Sequence, residues 1–103
     1  MRSEPRVPDF CGRVRANAEA VRMAVRRRGA INPRLFGSVA RGDYTADSDI
    51  DILVDSGPTL GLLGIVQLEE DLEKLLGVAV DIVVSNEIPT LDRPVILQEA
   101  MPI

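Results

Sequence analysis

The sequence predicts a mixed α/β (α+β) domain, and three observations carry that prediction. The chain has 103 residues, which suits one small domain with one hydrophobic core. Hydrophobic residues make up 46% of the chain, so it can bury such a core and is not disordered by composition. Helical and extended patterns alternate in the order helix, strand, short helix, strand, helix, strand, helix. We therefore expect a flexible leader over residues 1–8 and a single domain over residues 9–103.

The first predicted helix begins after Asp9, a good N-cap residue, and ends before Gly29, a good C-terminal stop. Apolar residues recur in it every three to four positions and predict one buried stripe. The members of this stripe are Phe10, Val14, Ala18, Val21 and Val25. Arginines occupy much of the remaining surface of the helix.

Three elements are predicted in the middle of the chain. Residues 34–36 follow Asn32-Pro33 and form a short strand candidate that runs into Gly37-Ser38. Residues 39–47 predict a short helical turn followed by a polar loop. Residues 49–54 alternate acidic with aliphatic side chains before becoming fully apolar, which predicts a strand with one carboxylate-bearing face.

A leucine-rich helix, a strand and a short helix complete the predicted order. Residues 60–76 carry an apolar stripe and precede Gly77, which ends the helix. The predicted stripe is Leu62, Ile65, Leu68, Leu72, Leu75 and Leu76, and the predicted exposed residues are Glu69, Glu70, Asp71, Glu73 and Lys74. Residues 78–84 form an apolar strand candidate interrupted only by Asp81, and residues 92–100 form a short helix.

Composition limits the available chemistry. The chain has no histidine and one cysteine, which removes the commonest general base and the usual zinc ligands. Metal chemistry would therefore use carboxylates, whose hard oxygens suit Mg²⁺ or Mn²⁺. Three aromatic residues make a base-stacking surface hard to build, so we do not expect a nucleic acid as a direct ligand. A lone thiol and the lack of an apolar run of about 20 residues predict a soluble, cytoplasmic protein without a membrane partner.

Asp49 and Asp51 are the first candidates for a site. On a strand, residues i and i+2 point to the same face and lie about 6–7 Å apart along the chain. Two carboxylates placed in this way can converge on Mg²⁺, which is usually held by one or two carboxylates and substrate phosphates. The alternative is a solvated Asp-Ile-Asp on an edge strand, and the pair alone does not decide between the two.

Asp81 is the third candidate carboxylate. It is the one polar residue within the apolar run of residues 78–84, and an unpaired carboxylate is costly to bury in a central strand. If this strand pairs with residues 49–54, three carboxylates share one site, which suits a two-metal centre. The alternative is an edge-strand aspartate that faces water or caps a neighbouring loop.

Gly37-Ser38 lies between a predicted strand and a predicted helical turn. Glycine permits close backbone approach, and a serine hydroxyl with free backbone N–H groups at a helix start can hold phosphate oxygens. The dipeptide is common, and by itself a plain strand-ending turn is the better interpretation. The spacing shifts the balance towards a phosphate-binding turn, because ten residues separate Ser38 from Asp49-Ile50-Asp51.

The run from Leu35 to Gly42, continued by residues 47–54, resembles the nucleotidyltransferase superfamily of DNA polymerase β. More closely, it is similar to the small prokaryotic minimal nucleotidyltransferases (MNT), whose signature is Gly-Ser, ten residues and Asp-x-Asp. The similarity continues through Leu68 to Asp81 and to the Leu-Gln-Glu-Ala-Met-Pro ending. The resemblance implies a polymerase β-like palm fold, in which a small mixed β-sheet is flanked by helices.

The resemblance also implies roles for the matching residues. Gly37 and Ser38 would bind the triphosphate of ATP, and Asp49 and Asp51 would hold two Mg²⁺ or Mn²⁺ ions. Asp81 matches the third acid, which contributes to the metal site and activates the acceptor hydroxyl.

Arg41 has two interpretations of equal weight. It lies in the matching Ala-Arg-Gly stretch, so the resemblance implies that it binds phosphate or organises the loop. Its competing role is an ordinary surface ion pair with Asp43 or Asp47, which contributes little to stability.

The MNT family is paired in many genomes with HEPN-domain ribonuclease toxins. The resemblance therefore implies an antitoxin that transfers AMP from ATP to a tyrosine hydroxyl of a HEPN-type toxin. One alternative is an antitoxin that acts by stoichiometric binding without catalysis. Another is nucleotidyl transfer to a small-molecule or RNA hydroxyl.

Small size favours an acceptor that brings its own docking surface, because the chain has no length for a second domain that grips it. The arginine-rich first helix or the final segment, residues 95–103, could form that interface. For the first helix, the alternative is a solvated basic surface over a packed apolar stripe.

Overall fold

The fold is that of a computed structural model, which describes residues 8–103. The predicted leader lies outside the described residues except for Pro8, so it stays a prediction. The elements are α1 (Phe10–Ala16), α2 (Ala18–Arg27), β1 (Ala30–Phe36), α3 (Gly37–Arg41), β2 (Ile50–Ser56), α4 (Leu62–Leu76), β3 (Val80–Val84), a 3-10 turn (Ser85–Glu87), α5 (Arg93–Glu99) and β4 (Met101–Pro102). None of these helices is both long enough and apolar enough to cross a membrane.

Four strands form one mixed sheet in the order β3-β2-β1-β4. β1 runs antiparallel to β2 and to β4, whereas β2 and β3 are parallel. The crossover from β2 to β3 is made by α4, the kind of helical connection that parallel strands require. The predicted fold class, a small mixed sheet flanked by helices, is therefore confirmed.

The first predicted helix is broken into α1 and α2 at Asn17. The side-chain amide of Asn17 donates a 2.8 Å hydrogen bond to the carbonyl oxygen of Arg13, so it competes with the continuous helical ladder. The prediction of one continuous helix was wrong at this residue.

The predicted N-cap is confirmed, because the carboxylate of Asp9 accepts a 2.8 Å hydrogen bond from the backbone N–H of Gly12. The stripe is buried except at Ala18, which is half-buried.

β1 begins four residues before the predicted strand. The pairing of β1 with β2 shifts between Ile31 and Arg34, where Asn32 has a positive φ of 56°. Asn32-Pro33 therefore forms an irregularity inside the strand instead of a turn before it. β4 was not predicted, because a strand of two residues is too short to show alternation.

α4 and α5 lie close to their predicted positions, and α4 ends at Gly77, whose φ is 77°. The predicted burial of Leu62 was wrong, since this side chain is 80% exposed in the first turn of α4. Glu69, predicted to be exposed, is half-buried, and its carboxylate accepts a 3.0 Å hydrogen bond from the backbone N–H of Ile82. Glu73 accepts a similar bond of 3.2 Å from Val80. Two carboxylates of α4 thus cover the outer edge of β3.

The two faces of the sheet differ in character. One face packs against helices, and its strand residues belong to the main core: Leu35, Ile50, Ile52, Val54, Val80, Ile82 and Val84. Residues on the other face alternate with these, and they include Asp51 and Asp55 on β2 and Asp81 on β3. Leu53 is fully buried on this second face but lies outside the main core cluster. The second face therefore carries the carboxylates.

Candidate active site

Gly37 brings the main chain against the carboxylate of Asp51. Its φ of 73° lies in the left-handed region that favours glycine. A Cβ at this position would collide with Oδ2 of Asp51 and would lie 3.2 Å from Cγ of the same side chain. Both the backbone conformation and the close approach therefore require glycine at the junction between β1 and α3.

Ser38 follows in the first turn of α3 and is half-buried. No side chain caps the N-terminus of α3. The predicted helical turn and polar loop after Ser38 are confirmed: α3 ends at Gly42, whose φ is 85°, and the next regular element is β2. The short helix thus holds its first backbone amides beside Asp51 without a protein acceptor at its cap.

Asp51 and Asp81 are directly paired in the register of the parallel strands β2 and β3. In the antiparallel pairing on the other side, Asp51 is opposite Phe36, the residue that precedes Gly37. Asp49 comes just before β2 and is exposed, as is Asp81. The predicted neighbourhood of the strands at residues 49–54 and 78–84 is therefore confirmed, and Asp81 lies on an edge strand.

The surroundings of Asp51 disfavour its charge. Partial burial, followed by the negative charges of Asp81 and Asp49, raises the pKa of Asp51 to about 6, while Arg41 opposes the shift. The ionised form of Asp51 is thus disfavoured where it stands. A cation bound beside it would remove that penalty, because an opposite charge favours the carboxylate.

Among residues 8–103, no group of three or more carboxylate or thiol side chains is arranged so that it could hold a metal ion by itself, so the predicted three-carboxylate centre stays a prediction. Mg²⁺ usually keeps several waters and takes only one or two carboxylates together with substrate phosphates. Asp51 and Asp81, in register, and Asp49, two residues before Asp51, are the residues that fit such an ion. Their oxygen-only donor set matches a hard cation.

Arg41 makes two ion pairs at the end of α3. Its guanidinium lies 3.2 Å from the carboxylate of Asp43 and 3.3 Å from that of Glu99 in α5. The hydrogen bond to Asp43 raises the pKa of Arg41. The predicted partner Asp43 is thus present, Glu99 was not predicted, and none of the ion pairs in the described chain joins Arg41 to Asp47.

A second polar cluster at the far end of β2 was missed by sequence reasoning. Asp55 accepts hydrogen bonds from Arg34 at 2.9 Å, from Asn32 at 2.9 Å and from Ser85 at 2.6 Å. The bond from Arg34 is the main reason that the pKa of Asp55 lies well below its usual range. The residues of this cluster come from three separate segments, so only strand pairing and the 3-10 turn bring them together.

Two parallel strands that each carry a carboxylate thus lie beside a Gly-Ser turn that starts a helix, the arrangement that the resemblance to nucleotidyltransferases implied. A family profile for the nucleotidyltransferase domain matches residues 19–103. The protein adenylyltransferase MntA of Thermococcus cleftensis is 42% identical over 67 residues, which are 65% of this chain and 68% of that protein. The chain belongs to the nucleotidyltransferase family and is an enzyme of that class.

Solved structures place it within that family. A structure assigned to a minimal nucleotidyltransferase has a TM-score of 0.82 and 43% identity, and the match covers 93% of this chain and 97% of that chain. A toxin–antitoxin complex with AMP-PNP has a TM-score of 0.70 and 25% identity, over 84% of this chain and 71% of that chain. An MNT antitoxin bound to a tri-AMPylated HEPN toxin of Shewanella oneidensis shares the fold, with a TM-score of 0.64 and 22% identity. The match covers 85% of this chain and 69% of that chain. The resemblance to minimal nucleotidyltransferases is therefore confirmed.

Proposed function

We propose that this enzyme is a cytoplasmic antitoxin that transfers AMP from ATP to a tyrosine hydroxyl of a HEPN-type toxin, with Mg²⁺ as cofactor. The observation that carries the proposal is the contact of the Gly37 backbone with Asp51, which is itself in register with Asp81. This arrangement puts a phosphate-binding turn and a cation-binding pair within reach of one another. MntA, its relative at 42% identity, supports protein as the acceptor class.

Each residue has a distinct task in this proposal. The first amides of α3 and the hydroxyl of Ser38 bind the β- and γ-phosphates, and Arg41 adds a third phosphate contact by exchanging its exposed pairing with Asp43. Asp49 and Asp51 would hold the cations, and Asp81 would share in their coordination. When bound, Mg²⁺ neutralises charge on the triphosphate and aligns it for in-line displacement.

Asp81 is suited to accept the proton of the acceptor hydroxyl. It lies on the edge strand and is exposed, so an incoming side chain can reach it. With no histidine in the chain, a carboxylate is the available general base near the cations. The oxygen of the acceptor then bonds to the α-phosphorus, and the bond from that phosphorus to the leaving pyrophosphate breaks.

A direct test uses ATP labelled in its α-phosphate, a purified HEPN-type toxin that this protein binds, and the variant Asp49→Asn plus Asp51→Asn. The wild type is expected to label a toxin tyrosine, located by mass spectrometry, and the variant is expected to leave it unlabelled. Asp92→Asn is the matched control, because Asp92 is exposed and makes no side-chain capping bond to α5. Equal labelling by the double variant would refute the assigned site.

The same proteins separate catalysis from simple binding. If neutralisation depends on transfer, the double variant binds the toxin but no longer protects cells from it. Full protection by the double variant would instead favour the stoichiometric antitoxin. Parallel reactions with small-molecule alcohols and with RNA test the remaining acceptors, and labelling of either in preference to the toxin would contradict a protein acceptor.

A further inference from the structure

A cavity of about 370 Å³ lies at the end of β2 away from Gly37. It is on the same face of the sheet as Asp51, because Asp55 is four residues further along β2. Its lining residues are Arg34, Asp55, Ser85, Asn86, Arg93 and Leu97. The cavity is thus bounded by two strands, the 3-10 turn and one side of α5, and none of the roles assigned above uses it.

Arg34 is held in place but leaves one donor unused. One terminal nitrogen donates a 2.6 Å hydrogen bond to the carbonyl oxygen of Asn32, and the other donates a 2.9 Å bond to Asp55. Its Nε is buried and has no hydrogen-bond partner. A buried N–H without a partner loses its hydration, so an acceptor brought beside the Nε of Arg34 would offset that cost.

Arg93 is the less satisfied of the two arginines. One terminal nitrogen donates a 3.1 Å hydrogen bond to the carbonyl oxygen of Ile88, while its Nε is buried without a partner. Within residues 8–103, no carboxylate lies within ion-pair distance of Arg93. A half-buried guanidinium without a counter-ion is costly, and an anion in the cavity would offset that cost.

We propose that the Arg34–Arg93 cavity binds a carboxylate group of a ligand. Asp55 already offsets the charge of Arg34, so Arg93 leaves the lining with one net positive charge, which matches a monoanion better than a phosphate dianion. Planar guanidinium groups also suit planar carboxylates, because two parallel N–H donors can meet two oxygens. The hydroxyl of Ser85 and the amide of Asn86 are further polar groups on the lining.

The position of the cavity points to the acceptor protein as the source of that carboxylate, an assignment that rests on the proposed function. Asp51 and Asp55 are four residues apart on one face of β2, or about 13 Å. Because Leu53 is buried on this face between the two aspartates, an extended acceptor segment would pass over the residues that cover Leu53 and would need at least about four residues. The ligand is therefore an Asp or Glu side chain that lies close in sequence to the accepting tyrosine.

Binding in the isolated protein is tested first, independently of any transfer reaction. The probe is acetate, and the readout is the ¹⁵N and ¹H resonance of each arginine Nε–H. The Arg93 and Arg34 signals are expected to shift saturably, whereas exposed Arg26 drifts linearly, and Arg93→Gln is expected to abolish the saturable response at Arg34. Equal, unsaturated drift at Arg93 and Arg26 overturns the proposal, as does saturation by inorganic phosphate or ATP but not by acetate.

The source of the carboxylate is tested in the reconstituted transfer reaction. Arg93→Gln is expected to raise KM for the toxin about ten- to a hundred-fold, the usual result of losing a buried charge-assisted hydrogen bond, with KM for ATP unchanged. Arg93→Lys is expected to recover part of the loss. An unchanged KM for the toxin would overturn the acceptor assignment. If the wild type transfers no AMP, the proposed function fails, and the acetate titration still decides whether the cavity binds a carboxylate.

Discussion

Asp51 and Asp55 occupy the same face of β2, four residues apart, and their surroundings move their pKa values in opposite directions. At Asp51, burial and the charges of Asp81 and Asp49 raise the pKa to about 6. At Asp55, hydrogen bonds from Arg34, Ser85 and Asn32 hold the pKa well below its usual range. The carboxylate of Asp55 therefore stabilises its end of the strand, whereas the charge of Asp51 is disfavoured by its surroundings at the other end.

This difference separates a carboxylate whose charge stabilises the fold from one whose charge the fold disfavours. Asp55 has all its partners within the chain, so its charge contributes to folding. Asp51 has acidic neighbours and a glycine backbone against it, so its charge opposes folding until a cation arrives. Strained electrostatics of this kind are typical of catalytic sites, where a group is kept for the reaction at some cost to stability.

The largest expected effect on stability is that of Asp55→Asn. This change weakens the bonds from Arg34 and Ser85 and leaves a partly buried guanidinium without its counter-ion. We expect the free energy of unfolding to fall by about 2 kcal/mol, the range for a lost hydrogen bond to a charged group. Urea denaturation measures it, and Asp92→Asn is the control. An unchanged midpoint would show that the Arg34–Asp55 pair does not stabilise the fold.

Asp51→Asn is expected to act in the opposite direction. In EDTA at neutral pH, it removes a disfavoured charge and should raise the free energy of unfolding by about 1 kcal/mol, after discounting for the partial exposure of the side chain. Mg²⁺ should stabilise the wild type and so reduce the difference in unfolding free energy between the variant and the wild type. Destabilisation by Asp51→Asn in EDTA would contradict the repulsion among the three carboxylates.

The pH dependence of stability in these two variants further tests the contrast between Asp51 and Asp55, although the expected differences in unfolding free energy are smaller. Asp55 has a depressed pKa when folded, so its contribution is full above its unfolded pKa of about 3.9 and is lost as pH falls further. Asp51 has a raised pKa, so its penalty appears as pH rises from about 4 to about 6. In EDTA, the stability of Asp51→Asn relative to the wild type should increase as pH rises from about 4 to about 6. The stability that Asp55→Asn loses relative to the wild type should be smallest at the lowest pH. Parallel curves for the two variants would refute this assignment.

Arg41→Gln should have the smallest effect on folding. Its ion pairs with Asp43 and Glu99 are exposed, and the thermal midpoint is expected to stay unchanged. KM for ATP should rise about three- to ten-fold, because one charge-assisted phosphate contact is lost. A lower midpoint with unchanged KM would instead establish Arg41 as a structural link between α3 and α5.

The arrangement of residues at the Asp51 end of β2 could be predicted from the sequence because its signals are local. Gly37-Ser38, the ten-residue interval and Asp49-Ile50-Asp51 all lie within one short stretch. Asp81 needed one further step, the inference that its strand pairs with β2, and the register confirms it. The strand alternation around Asp51 then fixed which face carries the carboxylates.

The contacts at the Asp55 end of β2 could not be predicted because the residues that make them are distant in sequence. Arg34, Asp55 and Ser85 meet only after β1, β2 and the 3-10 turn are assembled. The break at Asn17 depends on one side-chain hydrogen bond that competes with a strong helical pattern. Leu62 fits the helical stripe by spacing, but the first turn of α4 projects beyond the core.

Transfer of labelled AMP by Asp51→Asn, measured beside its unfolding midpoint, tests the central claim most directly. The variant should be folded and at least as stable as the wild type in EDTA, yet transfer to the toxin should fall at least about a hundred-fold, or about 2.7 kcal/mol of transition-state stabilisation. Asp92→Asn should match the wild type in both measurements. Transfer by Asp51→Asn at the wild-type rate would contradict the assignment of this end of β2 as the catalytic centre.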